Sequence, residues 1–376
     1  MSRTPTIFLS AGEPSGDLHG AALARALRAR WPSARLLGLA GPRMQAEGVE
    51  PVADFDRLAV MGFAEVLRHL PFFARLLHRA GRIVEDERVD LVVPIDYPGF
   101  NLRLASRASA TGVPVLYYIA PQVWAWHRSR AAKLAATADR LAVILPFEEA
   151  IFREYGADVR FVGHPLALRA GPLQERAAFC AAHGLDPSRR ILALFPGSRL
   201  QEVERHLSVF REAAERVVEA RWHLQPVIAR SPDVDEGAYA GSAYPMTTDA
   251  RSLLAHAHVA LVKSGTTTLE AALAGVPMVI AYRTHPATFW LARRLVRVEH
   301  VGLANLVAGR RIAPELLQEE ATPSALAAAL LPLVDEGPAR AEALEGVAEA
   351  RAALRPEGTA TAAERVADLA AELLDS

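Results

Sequence analysis

The chain has 376 residues, of which 51% are apolar and 23% charged, with a net charge of −1 and a single cysteine. This length suits two domains, and the apolar content can fill two cores. A near-zero charge without a dense Lys/Arg block argues against a nucleic-acid partner, and one cysteine excludes an internal disulfide. There is no basic-then-apolar leader and no uncharged run of the ~20 residues that a membrane span needs. We expect a cytoplasmic protein, or one attached to a membrane surface without crossing it.

Short apolar runs alternate with amphipathic segments through the first half of the chain. The predicted strands lie at residues 6–11, 35–40, 90–95, 113–119, 140–145 and 159–162. The predicted helices lie at residues 17–30, 64–87, 102–111, 128–137 and 146–155. Strands that alternate with helices over this length indicate a parallel sheet covered on both faces.

The same alternation begins again after a connecting helix at residues 173–183. Its predicted strands lie at residues 191–195, 224–229, 258–262 and 277–282, and its helices at residues 202–220, 252–257, 268–274, 288–296, 323–334, 338–354 and 359–374. We predict an α/β fold of two Rossmann-like domains that face each other across a cleft, where open α/β sheets bind ligands. The predicted domains are residues 1–168 and 169–354. A last helical segment, residues 355–376, follows them, and one option for it is to pack back on the first domain.

A turn rich in hydrogen-bond donors follows the strand at residues 258–262. Ser264, Gly265 and Thr266 offer backbone N–H groups and hydroxyls at the start of a helix, which suits a phosphate. Glu270 comes about one helical turn later, where a carboxylate can accept two hydrogen bonds from a ribose. An ordinary helix start, with Ser264 or Thr266 as N-cap and Glu270 solvated, explains the same residues and is the commoner case for such a turn.

A second turn of this kind follows the strand at residues 191–195. Gly197 permits close approach of the backbone, Ser198 adds a hydroxyl, and Arg199 adds a forked cation suited to phosphate. One such turn is a weak indication, because many strands end this way. Two turns in one domain can converge on a single diphosphate, which favours a nucleotide site.

The first predicted strand runs into a glycine-rich turn at residues 12–20, which has neither the lysine of a phosphate loop nor the spacing of a dinucleotide fingerprint. We interpret it as a tight turn that exposes Glu13, Asp17 and His19 to the cleft. A structural turn in which Ser15 or Asp17 caps the following helix explains each residue equally well.

Polar and aromatic residues follow two further strands of the first domain. Asp96 comes at the end of an apolar run. Asn101 can cap the next helix and is also a candidate substrate-binding residue. Gln122 lies among aromatic residues that include Trp124 and Trp126. Aromatic side chains usually belong to a core, but the polar neighbours here also suit the wall of a binding site.

An ordered set of segments resembles the lipid-A-disaccharide synthase family. The segments span Ser10 to Glu320 and occur in the family's order: SAGEPSGDLHGA, PIDYPGFN, YYIAPQVWAW, LPFE, FVGHPL, FPGSR, SGTTTLEAAL, PMVIAYR and NLVAGRRIAPELLQEE. Each segment is weak evidence alone, whereas the ordered set is specific. The chain from about residue 321 onward carries no such motif.

The resemblance implies an inverting glycosyltransferase of the GT-B architecture. Its substrates would be UDP-2,3-diacylglucosamine and 2,3-diacylglucosamine 1-phosphate, and its products a β-1,6-linked disaccharide 1-phosphate and UDP. It would work on the cytoplasmic face of the inner membrane as a peripheral protein, with no nucleic-acid partner and no cofactor. The resemblance says nothing of the oligomeric state.

The resemblance also suggests roles for individual residues. Arg199 takes the place of an arginine needed for the UDP-sugar, Glu270 that of an acid near the ribose, and Asn305 that of an asparagine at the cleft. Asp96 matches an acid of the first domain. Some members have an aspartate where this chain has Gly99, so an essential base at that position would be missing here.

Asp96 is the predicted general base, because a positioned carboxylate is the usual means of activating an acceptor hydroxyl. Glu13 and His19 are the reserves, since their turn lies at the same edge of the sheet. The alternative is that Asp96 only braces its turn. No metal site is predicted: the acids at 233 and 235 lie in a polar loop, and the histidines are scattered.

Residues 61–79 mix apolar residues at helical spacing with basic ones, which fits either a core helix with a solvated edge or an element that meets lipid. Two other functions remain open. One is another GT-B enzyme that uses a sugar nucleotide, such as a peptidoglycan glycosyltransferase or UDP-N-acetylglucosamine 2-epimerase. The other is a non-catalytic binder of a nucleotide sugar.

Overall fold

The computed structural model describes residues 4–55, 70–124, 129–168, 173–285, 289–290 and 299–375. The chain divides into two structural units. Unit 1 comprises Met1–Leu168 together with Pro356–Ser376, and unit 2 comprises Arg169–Arg355. Both contain parallel sheets with helices, so the predicted α/β class is confirmed.

Unit 1 is built on parallel strands in the order β3-β2-β1-β4-β5-β6-β7. The first four and the last three form hydrogen-bonded sheets, and bridges from Val92 to Val115 and from Ile95 to Tyr118 join them. The order reverses between β1 and β4, and the carboxyl edge at such a point is where open sheets bind ligands. The strands are β1 Thr6–Ser10, β2 Arg35–Leu39, β3 Glu50–Pro51, β4 Leu91–Pro94, β5 Leu116–Tyr118, β6 Arg140–Val143 and β7 Val159–Phe161.

The strands of unit 1 are buried on both faces because apolar side chains occupy alternate and intervening positions alike. Phe8 and Val92 face one core, whereas Ile7 and Leu91 face the other, and all four are fully buried. The helices are α1 Pro14–Arg30, α2 Pro42–Ala46, α3 Leu70–Asp86, α4 Pro98–Ala110, α5 Ser129–Thr137, α6 Glu148–Arg153 and, at the end of the chain, α14 Ala362–Leu374.

Helix α14 belongs to unit 1 although it follows unit 2 in the sequence. Thr361 and Glu364 form a capping box at its start, which satisfies two of the free N–H groups there. Its buried face, including Val366 and Ala370, joins the core that α1 covers. The helix therefore completes the apolar cover of one face of the unit 1 sheet.

Unit 2 has a six-stranded parallel sheet in the order β10-β9-β8-β11-β12-β13, the order of a doubly wound nucleotide-binding fold. Its strands are β8 Arg190–Phe195, β9 Leu224–Ala229, β10 Met246–Thr247, β11 Ala257–Lys263, β12 Met278–Tyr282 and β13 Glu315–Leu317. Its helices are α7 Arg176–Ala182, α8 Leu200–Ala220, α9 Ala250–His256, α10 Thr266–Ala274, α11 Leu303–Ala308, α12 Pro323–Val334 and α13 Pro338–Ala353.

The longer predicted elements are present, and the differences lie in the short ones. Strands β3, β10 and β13 have two or three residues each, too few to show a periodicity. Residues 64–69 of one predicted helix lie outside the described residues, as do most of residues 288–296. Within the described parts of the chain, none of the helices has the length and apolar character to cross a bilayer.

Asp17 ties α1 to α2. Its carboxylate is only 3% exposed, and it accepts hydrogen bonds from the backbone N–H groups of Arg43 and Met44, each at 3.0 Å. These groups lie in the first turn of α2, where N–H groups have no partner within the helix. Asp17 is therefore the cap of a neighbouring helix. This differs from both sequence interpretations, which had it facing the cleft or capping its own helix.

Asp17→Ala should destabilise unit 1 by about 1–3 kcal/mol, because two N–H groups at the end of α2 lose their acceptor. Urea unfolding followed by circular dichroism measures the change. Ser15→Ala is the matched control from the same turn. Because Ser15 is exposed, the urea unfolding midpoint of this variant should stay near the parental value. Equal midpoints for the two variants would show that the cap contributes nothing to stability.

Candidate active site

A cavity of about 510 Å³ lies beyond the carboxyl ends of β4, β5 and β6 in unit 1. Its polar lining comes from Asp96, Gln122, Arg130 and Glu148. The remaining lining residues are apolar: Pro98, Ile119, Ala120, Pro121, Val123, Ile144 and Leu145. The cavity thus contains two carboxyl groups, one guanidinium and one amide inside a largely apolar wall.

The backbone at Asp96 is strained and firmly held. Asp96 and Tyr97 have φ angles of 48° and 49°, in the left-handed region that residues with a side chain seldom adopt. The Asp96 N–H donates to the carbonyl of Tyr118 at 3.0 Å, and the Asp96 carbonyl accepts from the Tyr117 hydroxyl at 2.9 Å. Strain that is fixed by several hydrogen bonds is typical of functional sites.

Asn101 completes this support. It is fully buried, and its Nδ2 donates to the carbonyls of Asp96 and Ser10 at 2.8 and 3.0 Å. Its Oδ1 accepts from the Ser10 hydroxyl at 2.6 Å. Since protein atoms occupy both ends of the amide, the structure gives Asn101 a positioning role behind Asp96, rather than the substrate contact predicted from the sequence.

The two carboxyl groups of the cavity hold their protons more tightly than usual. Burial and, to a smaller extent, the negative charge of Glu13 raise the pKa of Asp96 to about 6, against the opposing effect of the Tyr97 N–H. Burial also raises the pKa of Glu148 to about 8, against the effect of its hydrogen-bond donors and with a further contribution from Asp96. Near neutral pH Asp96 is therefore ionised and available as a base, whereas Glu148 is mostly protonated.

The reserve residues of the glycine-rich turn separate into two environments. Glu13 is exposed, and its charge acts on both Asp96 and Tyr97. His19 is absent from the cavity lining. Burial lowers its pKa to about 4, and its charge affects His164. Of the two predicted reserves, Glu13 is the one associated with Asp96.

Two of the four polar residues that line the cavity, Glu148 and Arg130, are not among the site residues predicted from the sequence. Glu148 was assigned only to a helix, although it is the first acid after the apolar strand β6 within the segment LPFE. Arg130 was assigned only to the helix that follows the aromatic segment. Gln122 was identified, and its exposed side chain lines the cavity. Trp126 lies outside the described residues.

The two turns of unit 2 lie side by side, because β8 and β11 are neighbouring strands with Phe195 opposite Val262. Glu202, in the first turn of α8, bridges them. One of its oxygens accepts from the Ser198 N–H at 3.0 Å, and the other pairs with the Lys263 ammonium at 2.7 Å. The predicted proximity of the two turns is therefore present in the structure.

Gly197 is required by the close packing of this bridge. Its φ angle is 145°, and a Cβ atom there would lie 2.4 Å from the Cβ of Glu202. Burial alone would raise the pKa of Glu202, but the hydrogen bonds from Lys263 and Ser198 outweigh it and lower the pKa. Glu202 is thus an ionised partner of the turn, while Ser198 and Arg199 remain exposed.

The second turn contains both exposed and structural groups. Gly265 is the N-cap of α10 with a φ angle of 154°, and Thr266 is exposed beside it. Ser264 is 7% exposed, and its hydroxyl donates to the carbonyl of Val301 at 2.8 Å. Glu270 is half-buried in α10. Ser264 therefore braces a neighbouring loop, whereas Thr266 is open to solvent.

Asn305 has an analogous bracing role. It is fully buried, its Oδ1 accepts from the N–H groups of Ile312 and Ala313, and its Nδ2 donates to Glu315 at 2.7 Å. Glu315 in turn accepts from the N–H of Gly302 at 2.9 Å. Like Asn101, Asn305 positions backbone rather than facing a ligand.

Among the described residues, no group of three or more His, Cys, Asp or Glu side chains is placed to hold a metal ion. Asp235 accepts from the N–H of Gly237 at 2.8 Å and so caps a short turn, as expected for a polar loop.

Comparison with known proteins identifies the family of the chain. The model of the lipid-A-disaccharide synthetase family matches residues 7–367. The chain belongs to this family. It is similar to the lipid-A-disaccharide synthase of Acidobacterium capsulatum, with 41% identity over 100% of this chain and 98% of the relative.

Solved structures agree on the fold. The calicheamicin glycosyltransferase CalG4 has a TM-score of 0.63 at 19% identity, covering 100% of this chain and 99% of its own. A UDP-N-acetylglucosamine 2-epimerase has a TM-score of 0.61 at 14% identity, and the match covers 97% of this chain and 95% of the epimerase chain. At such identities the likeness shows the GT-B fold alone, whereas the family match assigns the chain to the glycosyltransferases of lipid A biosynthesis rather than to the epimerases.

Proposed function

We propose that the chain transfers 2,3-diacylglucosamine from UDP-2,3-diacylglucosamine to the 6′-hydroxyl of 2,3-diacylglucosamine 1-phosphate, with inversion, giving the β-1,6-linked disaccharide 1-phosphate and UDP. The observation that carries the proposal is Asp96, a half-buried carboxylate that has a pKa of about 6 and lines the unit 1 cavity. A base of this strength is ionised at neutral pH and still able to take a proton.

The acceptor hydroxyl is bound in the unit 1 cavity in this proposal. Asp96 accepts its proton as the oxygen attacks the anomeric carbon and the bond to UDP breaks. Asn101 and Tyr117 hold the Asp96 backbone from behind, so the carboxylate keeps one orientation. Fixed geometry of this kind lowers the barrier because little reorganisation remains to be done at the moment of reaction.

The donor nucleotide is bound by the two turns of unit 2. Arg199 and the N–H groups at the start of α8 and α10 face growing negative charge on the diphosphate as UDP departs. Thr266 adds an exposed hydroxyl, and Glu270 accepts hydrogen bonds from the ribose. Metal ions have no step in this proposal, since these donors are supplied by the chain itself.

Asp96→Asn should lower turnover by about 10²–10⁴ while donor binding changes little, because the amide cannot take the proton. Asparagine tolerates a left-handed backbone, so the turn should be preserved. UDP release from the diacylglucosamine donor, measured with and without the lipid acceptor, is the assay. Parental kcat/KM should rise with pH through about 6 as Asp96 ionises, and Asp96→Asn should lose this rise.

Near-parental turnover of Asp96→Asn would remove Asp96 as the base and direct attention to Glu13. UDP release that does not depend on the acceptor would contradict glycosyl transfer itself. A binding protein without activity would release no UDP under either condition.

Glu270→Ala should weaken UDP binding, since a ribose loses its acceptor, whereas Arg199→Ala should reduce turnover at least as strongly, because charge on the diphosphate grows as the bond breaks. Equilibrium titration with UDP and steady-state kinetics separate the two effects. Arg216→Ala, an exposed arginine farther along α8, is the control. Unchanged UDP affinity in Glu270→Ala would exclude Glu270 from the site.

We also propose that the protein binds peripherally to anionic membranes through α3 and the preceding residues 61–69, which lie outside the described residues. In α3, Phe72 and Phe73 are half-buried against the unit 1 core, while Arg75 and Arg79 are exposed. Exposed cations next to partly covered aromatic rings suit an anionic surface.

Phe72→Ser combined with Phe73→Ser should reduce sedimentation with anionic vesicles. Because these rings also contact the core, Arg75→Gln combined with Arg79→Gln provides a second test that leaves the core intact. The arginine double variant should bind the vesicles less, and the binding that remains should be less sensitive to salt. Parental sedimentation of both folded double variants would contradict membrane binding through α3.

A further inference from the structure

Glu148 is a buried acid for which the proposed reaction has so far no role. It is the first residue of α6, is 1% exposed and lines the same cavity as Asp96. Its helical neighbour Glu149 faces elsewhere and accepts from the N–H of Phe161 at 2.7 Å. The carboxyl group of Glu148 is thus the one that α6 contributes to the cavity wall.

In the described part of the chain, N–H donors bind the Glu148 carboxyl group: the Trp124 indole and the backbone of Leu145 and Ile144. Its Oε1 accepts from the Trp124 indole N–H at 3.2 Å, and its Oε2 accepts from the Leu145 N–H at 3.1 Å. No salt bridge to Glu148 is present among the described residues. Among the described residues, the other charged groups that line the cavity are Asp96 and Arg130.

A carboxylate in this position would be incompletely stabilised, because it has no paired cation among the described residues and its N–H donors offset only part of the cost of burial. Burial, and to a smaller extent the charge of Asp96, raises the pKa of Glu148 to about 8 and so keeps its proton near neutral pH. A protonated carboxyl group carries one O–H donor. Trp124 and Leu145 contact it through N–H groups, which cannot accept that hydrogen, so the O–H is available to a molecule in the cavity.

We propose that Glu148, as a neutral acid, donates a hydrogen bond to a hydroxyl or acyl carbonyl oxygen of the acceptor and so orients the attacking hydroxyl toward Asp96. This assignment rests on the proposed function of the same cavity. The two acids have complementary tasks: Asp96 takes a proton, and Glu148 presents one without releasing it. The pairing requires that only one of them is ionised at the working pH.

Glu148→Gln and Glu148→Ala test the assignment by steady-state kinetics with varied acceptor and saturating donor. Glutamine keeps the shape and a neutral donor at every pH, so its acceptor KM at neutral pH should stay within about threefold of the parent. Alanine removes the donor and should raise the acceptor KM about tenfold, the equivalent of one net hydrogen bond, with the donor KM unchanged.

The pH profile separates a donated hydrogen bond from a merely structural role. In the parent, kcat/KM for the acceptor should fall as the pH rises through about 8, when Glu148 loses its proton. Glu148→Gln should abolish this fall. Trp124→Phe, which removes the indole N–H but keeps the carboxyl group, should retain it. If Glu148 acted only by holding Trp124, Trp124→Phe would match Glu148→Ala in acceptor KM.

Stability provides a readout independent of activity. The pKa of Glu148 is raised from 4.5 to about 8 in the folded protein, so between these values the folded state holds a proton that the unfolded chain releases. Stability must then fall as the pH rises across this window. Glu148→Gln removes this fall in stability. The unfolding midpoint of the variant, relative to that of the parent, should therefore increase from acidic pH to pH 8.

A parental acceptor KM in Glu148→Ala, or a high-pH fall retained in Glu148→Gln, would overturn the assignment. These outcomes are distinct from failure of the proposed function, which Asp96→Asn tests. If Asp96→Asn is inactive while the Glu148 variants are parental, the cavity is the acceptor site but Glu148 has no part in it.

Discussion

Two carboxyl groups without a salt bridge among the described residues set the chemistry proposed for unit 1: that of Asp96, which is half-buried, and that of Glu148, which is buried. Asp96 and Glu148 share one cavity, to which Arg130 contributes a guanidinium among the described lining residues. Among the described residues neither acid has a salt bridge. Because charge in an apolar wall is costly, both pKa values rise, and the two acids reach different protonation states near neutral pH. Separate pKa values allow a pair of like residues to act as base and donor, a pattern known from other acid–base enzymes.

In unit 2, by contrast, the carboxylate at the strand ends has a cationic partner. This carboxylate, Glu202, is paired with Lys263 and accepts from the Ser198 N–H, so it stays ionised. This bridge holds the turns after β8 and β11 together and leaves Arg199 exposed for an incoming anion. In the proposed reaction, unit 1 takes up the proton and unit 2 binds the negative charge. A transfer from a nucleotide sugar requires both tasks, since a proton leaves the acceptor while charge develops on the diphosphate.

The sequence allowed the alternating architecture and the important turns to be predicted, because both follow from local patterns. Apolar runs mark the strands, and small polar residues mark their carboxyl ends. The same patterns could not separate a residue that contacts ligand from one that braces the turn. Asn101 follows a turn signal as Asp96 does, and Asn305 is indicated by the family resemblance, yet both are fully buried with their amides bonded to protein atoms.

Glu148 shows the opposite difficulty. An acid at the first turn of a helix is common for electrostatic reasons, so nothing local distinguishes Glu148 from a solvated residue. Its role depends on contacts with Trp124 and on a cavity shared with Asp96, and neither follows from sequence spacing. Asp17 is similar, because its partners belong to α2. Both assignments required knowledge of which elements are neighbours in space.

Gly99 raises the question of whether the general base could have been lost in this chain. A Cβ atom at Gly99 would meet no atom within 4 Å, so the backbone surroundings do not themselves require a glycine there. Asp96, in contrast, is fixed from three sides by Tyr118, Tyr117 and Asn101, and it lines the cavity. An acid at residue 99 would add negative charge beside the first turn of α4 without taking over this fixed geometry. The support for a base is therefore built around Asp96, and a glycine at residue 99 leaves it intact.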